Sequence, residues 1–429
     1  MFSFKKAAAG VLSCTMLLGS LVISGCSDSN TSGTQSTDNT SNGSSTAHQG
    51  EIKDISSVEL VKDMKIGWSL GNTLDGGNES NRGQAPGSIE KSWGNPDTTK
   101  EMIDEIKKAG FNVLRVPTTW DWSTGEAPEY KISDEWFARV KEIVDYGMEN
   151  DMYVILNIHH ETWHDPLEKN YEAASDRLKK VWTQIGNYFK DYDEHLIFEG
   201  LNEPRVRNSD EEWNGGSDAT REVVNKLDAD FVSTIRSLDG NNKLRHLMIP
   251  GYAASSSEVA LKALKIPEND DKLIVSVHAY IPYNFALADN KRSNKWVACK
   301  EGFTNDIDNL ADMLKTLFTD KGQAVIIGEF GARSKDNDKY RAEWAKYYVT
   351  KMKTVGVPCV WWDNGAFIGS GELFGLFDRR NLEWRYPLLK DALISASNGE
   401  YTVDGLKSDT AILDELKKDI AQSKNSSAE

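Results

Sequence analysis

Cysteine is scarce in this chain of 429 residues, which contains four. Cys14 lies inside an N-terminal apolar run and Cys26 directly follows that run, so Cys299 and Cys359 are the two that remain for a folded domain. One of these two lies in a predicted loop and the other in a predicted strand, which favours free thiols without deciding the question. The chain has no disulfide framework, so its core has to hold the fold.

Positively charged residues are also fewer than negatively charged ones. The chain has 50 Lys and Arg against 66 Asp and Glu, a formal net charge of −16. This balance argues against nucleic acids and anionic membrane surfaces as partners, and a neutral or cationic substrate fits it better. With 39% hydrophobic residues the chain can bury one large α/β core or two medium ones. Its 13 tryptophans can fill that core and also stack on sugar faces.

Large apolar side chains are missing from residues 27–50, which contain no aromatic residue and no aliphatic one larger than Ala. Such a segment cannot repay the entropy of being ordered. We interpret it as a tether, with a mean reach of roughly 25 to 30 Å.

The first 25 residues are typical of a targeting signal, since Lys5 and Lys6 precede an apolar run from Ala7 to Ile23. The stretch "LVISGC" resembles the lipobox of bacterial lipoproteins, in which the cysteine becomes the lipidated N-terminus. It predicts a signal peptide over residues 1–25 and a lipid on Cys26, which would anchor an exported protein to the outer face of a bacterial membrane. A plain secretory signal and an uncleaved membrane anchor remain alternatives.

Eight short apolar runs of strand length recur from residue 66 onward, and stretches with helical periodicity separate them. The predicted strands are Ile66–Leu70, Val113–Pro117, Tyr153–Ile158, Leu196–Gly200, His246–Pro250, Leu273–His278, Ala324–Gly328 and Val357–Trp361. Continuous apolar strands spaced for crossover helices indicate a parallel sheet that is buried on both faces. Eight such units predict a (β/α)8 TIM barrel over residues 51–397. The main rival is an open doubly wound sheet, but no G-x-G-x-x-G follows the first strand.

Polar or aromatic residues stand at the carboxyl end of every predicted strand, where the chemistry of such barrels lies. These residues are Asn72, Arg115, His159, His160, Asn202, Glu203, Tyr252, His278, Tyr280, Glu329 and Trp362. Among them, Glu203 and Glu329 end strands that face each other across a closed barrel. A pair of carboxyl groups suits glycoside hydrolysis, in which one protonates the leaving oxygen and the other acts at the anomeric carbon.

The neighbouring residues supply what this chemistry needs. Arg115 can keep a carboxylate ionised, and Asn202 can donate to a sugar hydroxyl. His278 and Tyr280 can orient the second carboxylate, and Trp362 can form an apolar floor under a sugar ring. Each of these residues taken alone is also compatible with a purely structural role.

Two motifs point to other chemistry. Residues 160–164 match H-E-x-x-H, the zinc protease pattern, which requires a helix. Here the segment follows a strand and precedes Asp165 and Pro166, so we predict a loop. We also expect His159 and His160 to point to opposite faces, as successive strand residues do, and therefore not to share one ion. The "GSGELFG" loop at 369–375 misses the known phosphate-binding patterns. We therefore expect no catalytic metal at the H-E-x-x-H segment.

Seven blocks in order resemble glycoside hydrolase family 5, the large cellulase family, and most closely its subfamily 4 endoglucanases. They are "IGWSLGNTLDG" at 66–76, "GFNVLRVPTTW" at 110–120, "VILNIHHE" at 154–161, "FEGLNEPR" at 198–205, "VSVHAYIPYNF" at 275–285, "VIIGEFGA" at 325–332 and "VWWDNG" at 360–365. The resemblance covers nearly the whole domain. It implies a TIM barrel, a retaining mechanism and no cofactor.

Carried over residue by residue, the resemblance makes Glu203 the general acid/base and Glu329 the nucleophile. The supporting residues would be Arg115, His159, Asn202, His278 and Tyr280, with Asn72, His160 and Trp362 binding substrate. The match favours His159 over His160 and Trp362 over Trp361 in the roles that adjacent duplicates leave ambiguous. Glu199, inside its strand, is expected to be a buried partner of a basic group.

The implied substrate is a β-glucan with β-1,4 linkages, of the cellulose or mixed-linkage type. Xyloglucan, xylan and mannan remain alternatives within the family, and a noncatalytic sugar-binding lipoprotein is the alternative from another class. We expect a monomer. Residues 398–429 form a tail, in which "ILDELKKDIAQSK" at 412–424 is either a helix docked on the barrel or a loose amphipathic end.

Overall fold

A computed structural model describes residues 48–289 and 291–414 of the chain. The predicted signal peptide, Cys26, most of the predicted tether and the end of the C-terminal tail lie outside these residues. The last three residues assigned to the tether, 48–50, are described and differ from that expectation. They pair antiparallel with residues 191–193. Gly50 donates a backbone hydrogen bond to Asp191, and Asp193 donates one to His48.

Eight parallel strands, each paired with the next, close into a barrel when β8 pairs with β1. They are β1 (Ile66–Leu70), β2 (Val113–Val116), β3 (Tyr153–Asn157), β4 (Leu196–Glu199), β5 (Leu247–Ser255), β6 (Leu273–His278), β7 (Ala324–Phe330) and β8 (Cys359–Asp363). A short antiparallel pair follows, β9 (Phe377–Asp378) and β10 (Glu383–Trp384). The predicted (β/α)8 barrel is confirmed.

The described helices cover the outside of the barrel and its lower end. They are α1 (Ser57–Asp63), α2 (Pro86–Glu90), α3 (Lys100–Ala109), α4 (Asp134–Glu149), α5 (Tyr171–Tyr188), α6 (Asp218–Ser237), α7 (Glu258–Ala263), α8 (Tyr283–Ala286), α9 (Asn305–Leu317), α10 (Asp338–Thr354), α11 (Pro387–Asn398) and α12 (Val403–Ser408). None of the helices among the described residues is long and apolar enough to cross a membrane.

The barrel interior is built in layers, because alternate residues of each strand point inward. The lowest layer is apolar and includes Val113, Ile155, Ile197, Ile274 and Val360. Two positions further along the same strands come Arg115, Asn157, Glu199, Ser276 and Trp362. The polar layer therefore rests on a dry apolar one, which keeps water from reaching its charges from below.

Helix α1 closes the lower end of the barrel. Its N-cap Ser56 accepts from the backbone of Glu59, whose side chain accepts in return from the backbone of Ser56, so the helix has a capping box. Leu60 and Val61 are buried in the same cluster as the apolar barrel layer. The opposite end, at the carboxyl ends of the strands, is the open mouth.

Irregular pairing marks the mouth. The register shifts between Val277 and His278 on β6, and again between Ile327 and Phe330 on β7. Bulges of this kind re-aim side chains. Here the shift places His278 opposite Glu329, so that both side chains enter the mouth.

The described part of the C-terminal tail packs on the barrel. Leu406 of α12 is buried, and Lys407 pairs with Asp308 of α9 at 2.8 Å. Most of the segment 412–424, for which the sequence left two alternatives open, lies outside the described residues. Within the described chain, Cys299 and Cys359 are both free thiols. Cys359 is buried at the start of β8, and burial raises its pKa above the usual range.

Candidate active site

The side chains of Glu203 and Glu329 meet at the mouth, although β4 and β7 are separated by two other strands. Together with His278 they form a group whose oxygen and nitrogen atoms lie within 4.8 Å of one another. The glutamate side chains are 15% and 7% exposed, so both are reached from solvent only through the mouth.

Two donors from different strands hold Glu329. Arg115 Nη1 lies 2.7 Å from its Oε1, and the Tyr280 hydroxyl donates to Oε2 at 2.8 Å. Hydrogen bonds and a cation on an ionised carboxylate favour its charged form. This arrangement suits a group that attacks as an anion.

Arg115 is fully buried, and its guanidinium donates hydrogen bonds to three side chains. Besides Glu329, its guanidinium contacts Glu199 Oε2 at 2.7 Å and donates to Asn202 Oδ1 at 2.7 Å. The Asn202 side chain is thereby oriented with its amide nitrogen free to turn toward a ligand. The basic partner that the sequence predicted for Glu199 is therefore Arg115 itself.

Glu203 has a different set of neighbours. His278 Nδ1 lies 2.9 Å from Glu203 Oε1, and Arg205 Nη1 donates to Oε2 at 3.3 Å. Burial raises the pKa of Glu203, but the hydrogen bond and charge of His278 and the charge of Arg205 outweigh it, so the pKa lies below its usual range. The pKa of His278 is raised, because the charges of Glu329 and Glu203 outweigh its burial.

These contacts disfavour a Glu203 that is neutral at rest, which is the state that the expected role as general acid requires. The sequence identified the carboxyl group, but it gave no weight to the basic residue two positions later or to the imidazole from β6. Both of these stabilise the Glu203 anion.

The aromatic side of the mouth is formed by Trp362 and the two histidines after β3. The Trp362 ring stacks on His159 with centroids 5.7 Å apart and planes 5° apart. Its neighbour Trp361 points outward and packs on Phe330. A side chain at Gly71 would meet the Trp362 ring at 2.7 Å, so only glycine permits this placement.

We expected His159 and His160 to point to opposite faces, but in the structure they do not. Their rings meet edge to face with centroids 4.4 Å apart. The reason is that β3 ends at Asn157, so both histidines belong to the loop and strand alternation does not apply to them. Together with Asp75 they form a second group of potential metal ligands within 4.8 Å.

The contacts of Asn72 near the mouth are made by its backbone. It adopts a left-handed conformation with φ 54°, and its N–H donates to Asp75 while its carbonyl accepts from Asn95. Its hydrogen bonds within the described chain do not reach Glu203 or Glu329. Tyr252 also stays outside the group, and its hydroxyl accepts from the backbone of Val206.

The H-E-x-x-H segment is a loop, as expected. Glu161 is buried and accepts from the backbone of Trp120 at 2.6 Å and from the Trp163 indole at 3.1 Å. Burial and the nearby charge of Asp121 raise the pKa of Glu161 to about 7. Glu161 thus holds two loops together beneath the mouth.

Several residues at the mouth escaped the sequence analysis. Arg205 contacts Glu203 and lies 4.2 Å from the centre of the Trp213 ring, which is 62% exposed. Trp93 is 42% exposed beside His160. The "GSGELFG" loop brings Glu372 near both glutamates, and burial and their charges raise its pKa. The Trp-rich composition was a signal for such platforms, but it did not say which rings are exposed.

The buried ion pair predicts a large effect of Glu199 on stability. In Glu199→Gln, Arg115 loses one of its two counter-ions inside the barrel, and breaking a buried pair costs about 3 kcal/mol or more. Urea denaturation at neutral pH measures this as a lower midpoint. The same change at Glu222, whose pair with Lys265 lies at the surface, should shift stability by less than about 1 kcal/mol. Equal midpoints for the two variants would contradict the prediction.

Tyr280→Phe removes one of the two donors to Glu329 and leaves the ring in place. A hydrogen bond to a charged group is worth about 1.5 to 3 kcal/mol, so we expect kcat on a soluble β-glucan to fall about 10- to 100-fold. Steady-state rates of reducing-sugar release measure it. The control is Tyr283→Phe, because that ring is 62% exposed and should keep wild-type rates. An unchanged kcat in Tyr280→Phe would show that the contact has no catalytic role.

The family comparison agrees with this geometry. The model of the cellulase family, glycosyl hydrolase family 5, matches residues 76–367. The chain belongs to glycosyl hydrolase family 5. Endoglucanase B of Neocallimastix patriciarum is 49% identical over 349 residues, covering 80% of this chain and 72% of that protein. Endoglucanase A of Ruminococcus albus is 45% identical over 354 residues, covering 81% and 94%.

Solved structures of other family 5 members share the fold. A GH5-4 broad specificity endoglucanase from Ruminococcus champanellensis, with bound cellotriose, superposes with a TM-score of 0.77 at 42% identity, covering 80% of this chain and 99% of that one. A family 5 lichenase from Caldicellulosiruptor sp. F32 gives 0.76 at 42% identity, covering 81% and 97%.

Proposed function

We propose that this family 5 enzyme is a retaining endo-1,4-β-glucanase, with Glu329 as nucleophile and Glu203 as general acid/base. The observation that carries the proposal is that one oxygen of Glu203 and one of Glu329 lie within 4.8 Å of each other, with His278 Nδ1 at 2.9 Å from Glu203 and 3.6 Å from Glu329. Retaining glycosidases keep their carboxyl groups about 5 to 5.5 Å apart, whereas inverting ones leave roughly 6.5 to 9.5 Å for a water molecule.

In the first step Glu329 attacks the anomeric carbon while Glu203 gives a proton to the leaving glycosidic oxygen. Arg115 and Tyr280 each donate a hydrogen bond to one oxygen of Glu329 and hold its carboxyl group in place for attack. A sugar in the mouth expels water from Glu203 and His278, which weakens the charge-separated form of this pair. The 2.9 Å hydrogen bond between His278 Nδ1 and Glu203 Oε1 is the path along which Glu203 takes up a proton and becomes the acid.

In the second step Glu203, now ionised, deprotonates a water molecule that releases the sugar from Glu329. The charge of Arg205 helps here, because it stabilises the anion of Glu203 that the first step leaves behind. The aglycone has to depart first. The exposed Trp213 ring beside Arg205 offers a face on which the departing glucan can stack.

The substrate we propose is β-1,4-linked glucan, with mixed-linkage glucan as the second polymer. This rests on the relatives' activities, since the compared proteins are endoglucanases and a lichenase, and one holds cellotriose. Xyloglucan, xylan and mannan are the alternative substrates and are assayed alongside these two polymers. Reducing-sugar release from a panel of these polymers ranks them, and a polymer without β-1,4 linkages should release none.

The anomer of the first product tests the retaining mechanism. Proton NMR during early hydrolysis of cello-oligosaccharides should show the β-anomer before mutarotation produces the α-form. An initial α-product would refute retention while leaving hydrolysis intact. If no polymer is cleaved at all, the noncatalytic sugar-binding alternative holds.

We also propose export as a lipoprotein, with the lipid on Cys26. The proposal rests on the "LVISGC" stretch and the apolar-poor segment that follows it. Mass spectrometry of the mature N-terminus should find a diacylated cysteine. In Cys26→Ser the enzyme should leave the membrane fraction, and retention of this variant in the membrane would favour an uncleaved anchor.

A further inference from the structure

The face of the barrel opposite the mouth carries a second group of histidines and carboxylates. His48 lies on the segment that pairs with residues 191–193, Asp151 lies between α4 and β3, and His195 lies immediately before β4. The two imidazole rings have centroids 4.3 Å apart. The group borders a surface depression of about 410 Å³ at the amino-terminal ends of β2, β3 and β4.

One carboxylate fixes both imidazole rings. Asp193 lies 2.8 Å from His48 Nδ1 through one oxygen and 3.0 Å from His195 Nδ1 through the other. A carboxylate accepts hydrogen bonds, so each Nδ1 carries the hydrogen. The Nε2 atom of each neutral ring then presents a lone pair. In metal sites, a carboxylate on the far ring nitrogen orients the ligating imidazole in the same way.

Both Nε2 atoms face one oxygen of Asp151. His48 Nε2 lies 3.4 Å from Asp151 Oδ1, and His195 Nε2 lies 3.8 Å from it. All three ligand atoms lie within 4.8 Å of one another. These distances exceed the roughly 2.7 to 3.2 Å of a good hydrogen bond. They approach the spacing of about 3.3 Å between ligands at the corners of a tetrahedron around zinc, for metal–ligand bonds of about 2.0 to 2.1 Å.

We propose that His48 Nε2, His195 Nε2 and Asp151 Oδ1 bind a Zn²⁺ ion on the amino-terminal face of the barrel. Asp151 is 76% exposed, so water completes the fourth position. Two imidazoles and one carboxylate are ligands that suit zinc. The ion has no part in hydrolysis, because it lies at the end of the barrel away from Glu203 and Glu329.

The role of the ion is to fasten one segment to the barrel. His48 is the ligand from the N-terminal side, where the sequence predicts a tether that ends at residue 50, while Asp151 and His195 belong to the barrel. Zinc therefore pins the start of the catalytic domain to the face opposite the mouth.

The test is zinc binding to the full chain after chelator treatment and dialysis. Isothermal titration should give one Zn²⁺ per chain with a Kd in the micromolar range or tighter, and zinc should raise the Tm. His48→Gln and Asp151→Asn should each weaken binding at least tenfold and remove most of the rise in Tm. Asparagine tolerates the left-handed backbone of residue 151, where φ is 52°, so this variant should fold.

Asp63→Asn is the matched control, because Asp63 borders the same depression and is not a ligand. It should bind zinc like the wild type. Tetrahedral Co²⁺ provides a second readout through its intense visible absorption, which His48→Gln should lose. Failure of the wild type to bind zinc would overturn the proposal. Equal binding by the wild type, His48→Gln and Asp151→Asn would also overturn it, since the ion would then sit elsewhere, for example among Glu203, His278 and Glu329.

Discussion

Replacing Glu329 by glycine lowers kcat on β-glucan by about 10⁴-fold or more, because no other group can form the glycosyl-enzyme. Sodium azide should restore turnover of a substrate with an activated leaving group. Azide fits the space left by the side chain and attacks the anomeric carbon from the face that Glu329 used, as the glycosidic bond breaks. The product is therefore the α-glycosyl azide, identified by NMR.

The isosteric change Glu329→Gln separates chemistry from binding. It keeps the shape of the site and an acceptor for Arg115, so cellotriose should bind within a few-fold of its wild-type affinity while turnover is lost. Full activity of this variant would remove Glu329 from the nucleophilic role. A β-azide from Glu329→Gly would show that the two glutamates have been assigned in the wrong order.

Glu203→Ala has the second largest expected effect, and its signature differs. Loss of a general acid costs about 10²- to 10⁴-fold in kcat on polysaccharide. A dinitrophenyl cellobioside should largely escape this loss in the first step, because its leaving group needs no proton. The glycosyl-enzyme then accumulates, since no base activates water, and a burst of dinitrophenolate followed by slow turnover should appear in stopped-flow records.

Azide again discriminates between the roles. In Glu203→Ala it should attack the glycosyl-enzyme from the face vacated by Glu203 and yield the β-glycosyl azide, the opposite anomer from Glu329→Gly. The two variants are thus controls for each other. If Glu203→Ala cleaves activated and unactivated substrates with equal losses, Glu203 supports the structure of the site and does not transfer protons.

The strands were predictable because their apolar runs are long and their spacing is regular. Predicted and observed bounds agree at β1 and β6. They diverge at β5 and β7, which continue to Ser255 and Phe330 past their predicted ends. The extensions follow register shifts, after which Ser255 pairs with His278 and Phe330 pairs with Trp361, and an apolar run in the sequence does not predict such shifts.

The candidate site was predictable as a set of residues and not as a set of contacts. Strand-end position marked Glu203 and Glu329 for chemistry. It said nothing of Arg205, whose charge lowers the pKa of Glu203, because a basic residue in a loop has no periodic signal. It also misjudged the side chains of His159 and His160, since the exact end of β3 decides their direction.

By itself the sequence determined the barrel and predicted its catalytic end and the two glutamates, because hydrophobic period and residue type are local properties. Only the tertiary structure decided which charges meet. Arg115 reaches Glu199 across 84 positions and Glu329 across 214, and that convergence exists only once β8 has closed on β1. The pKa shifts of His278 and Glu203 arise in the same way, because they depend on burial and on charges brought together from separate strands.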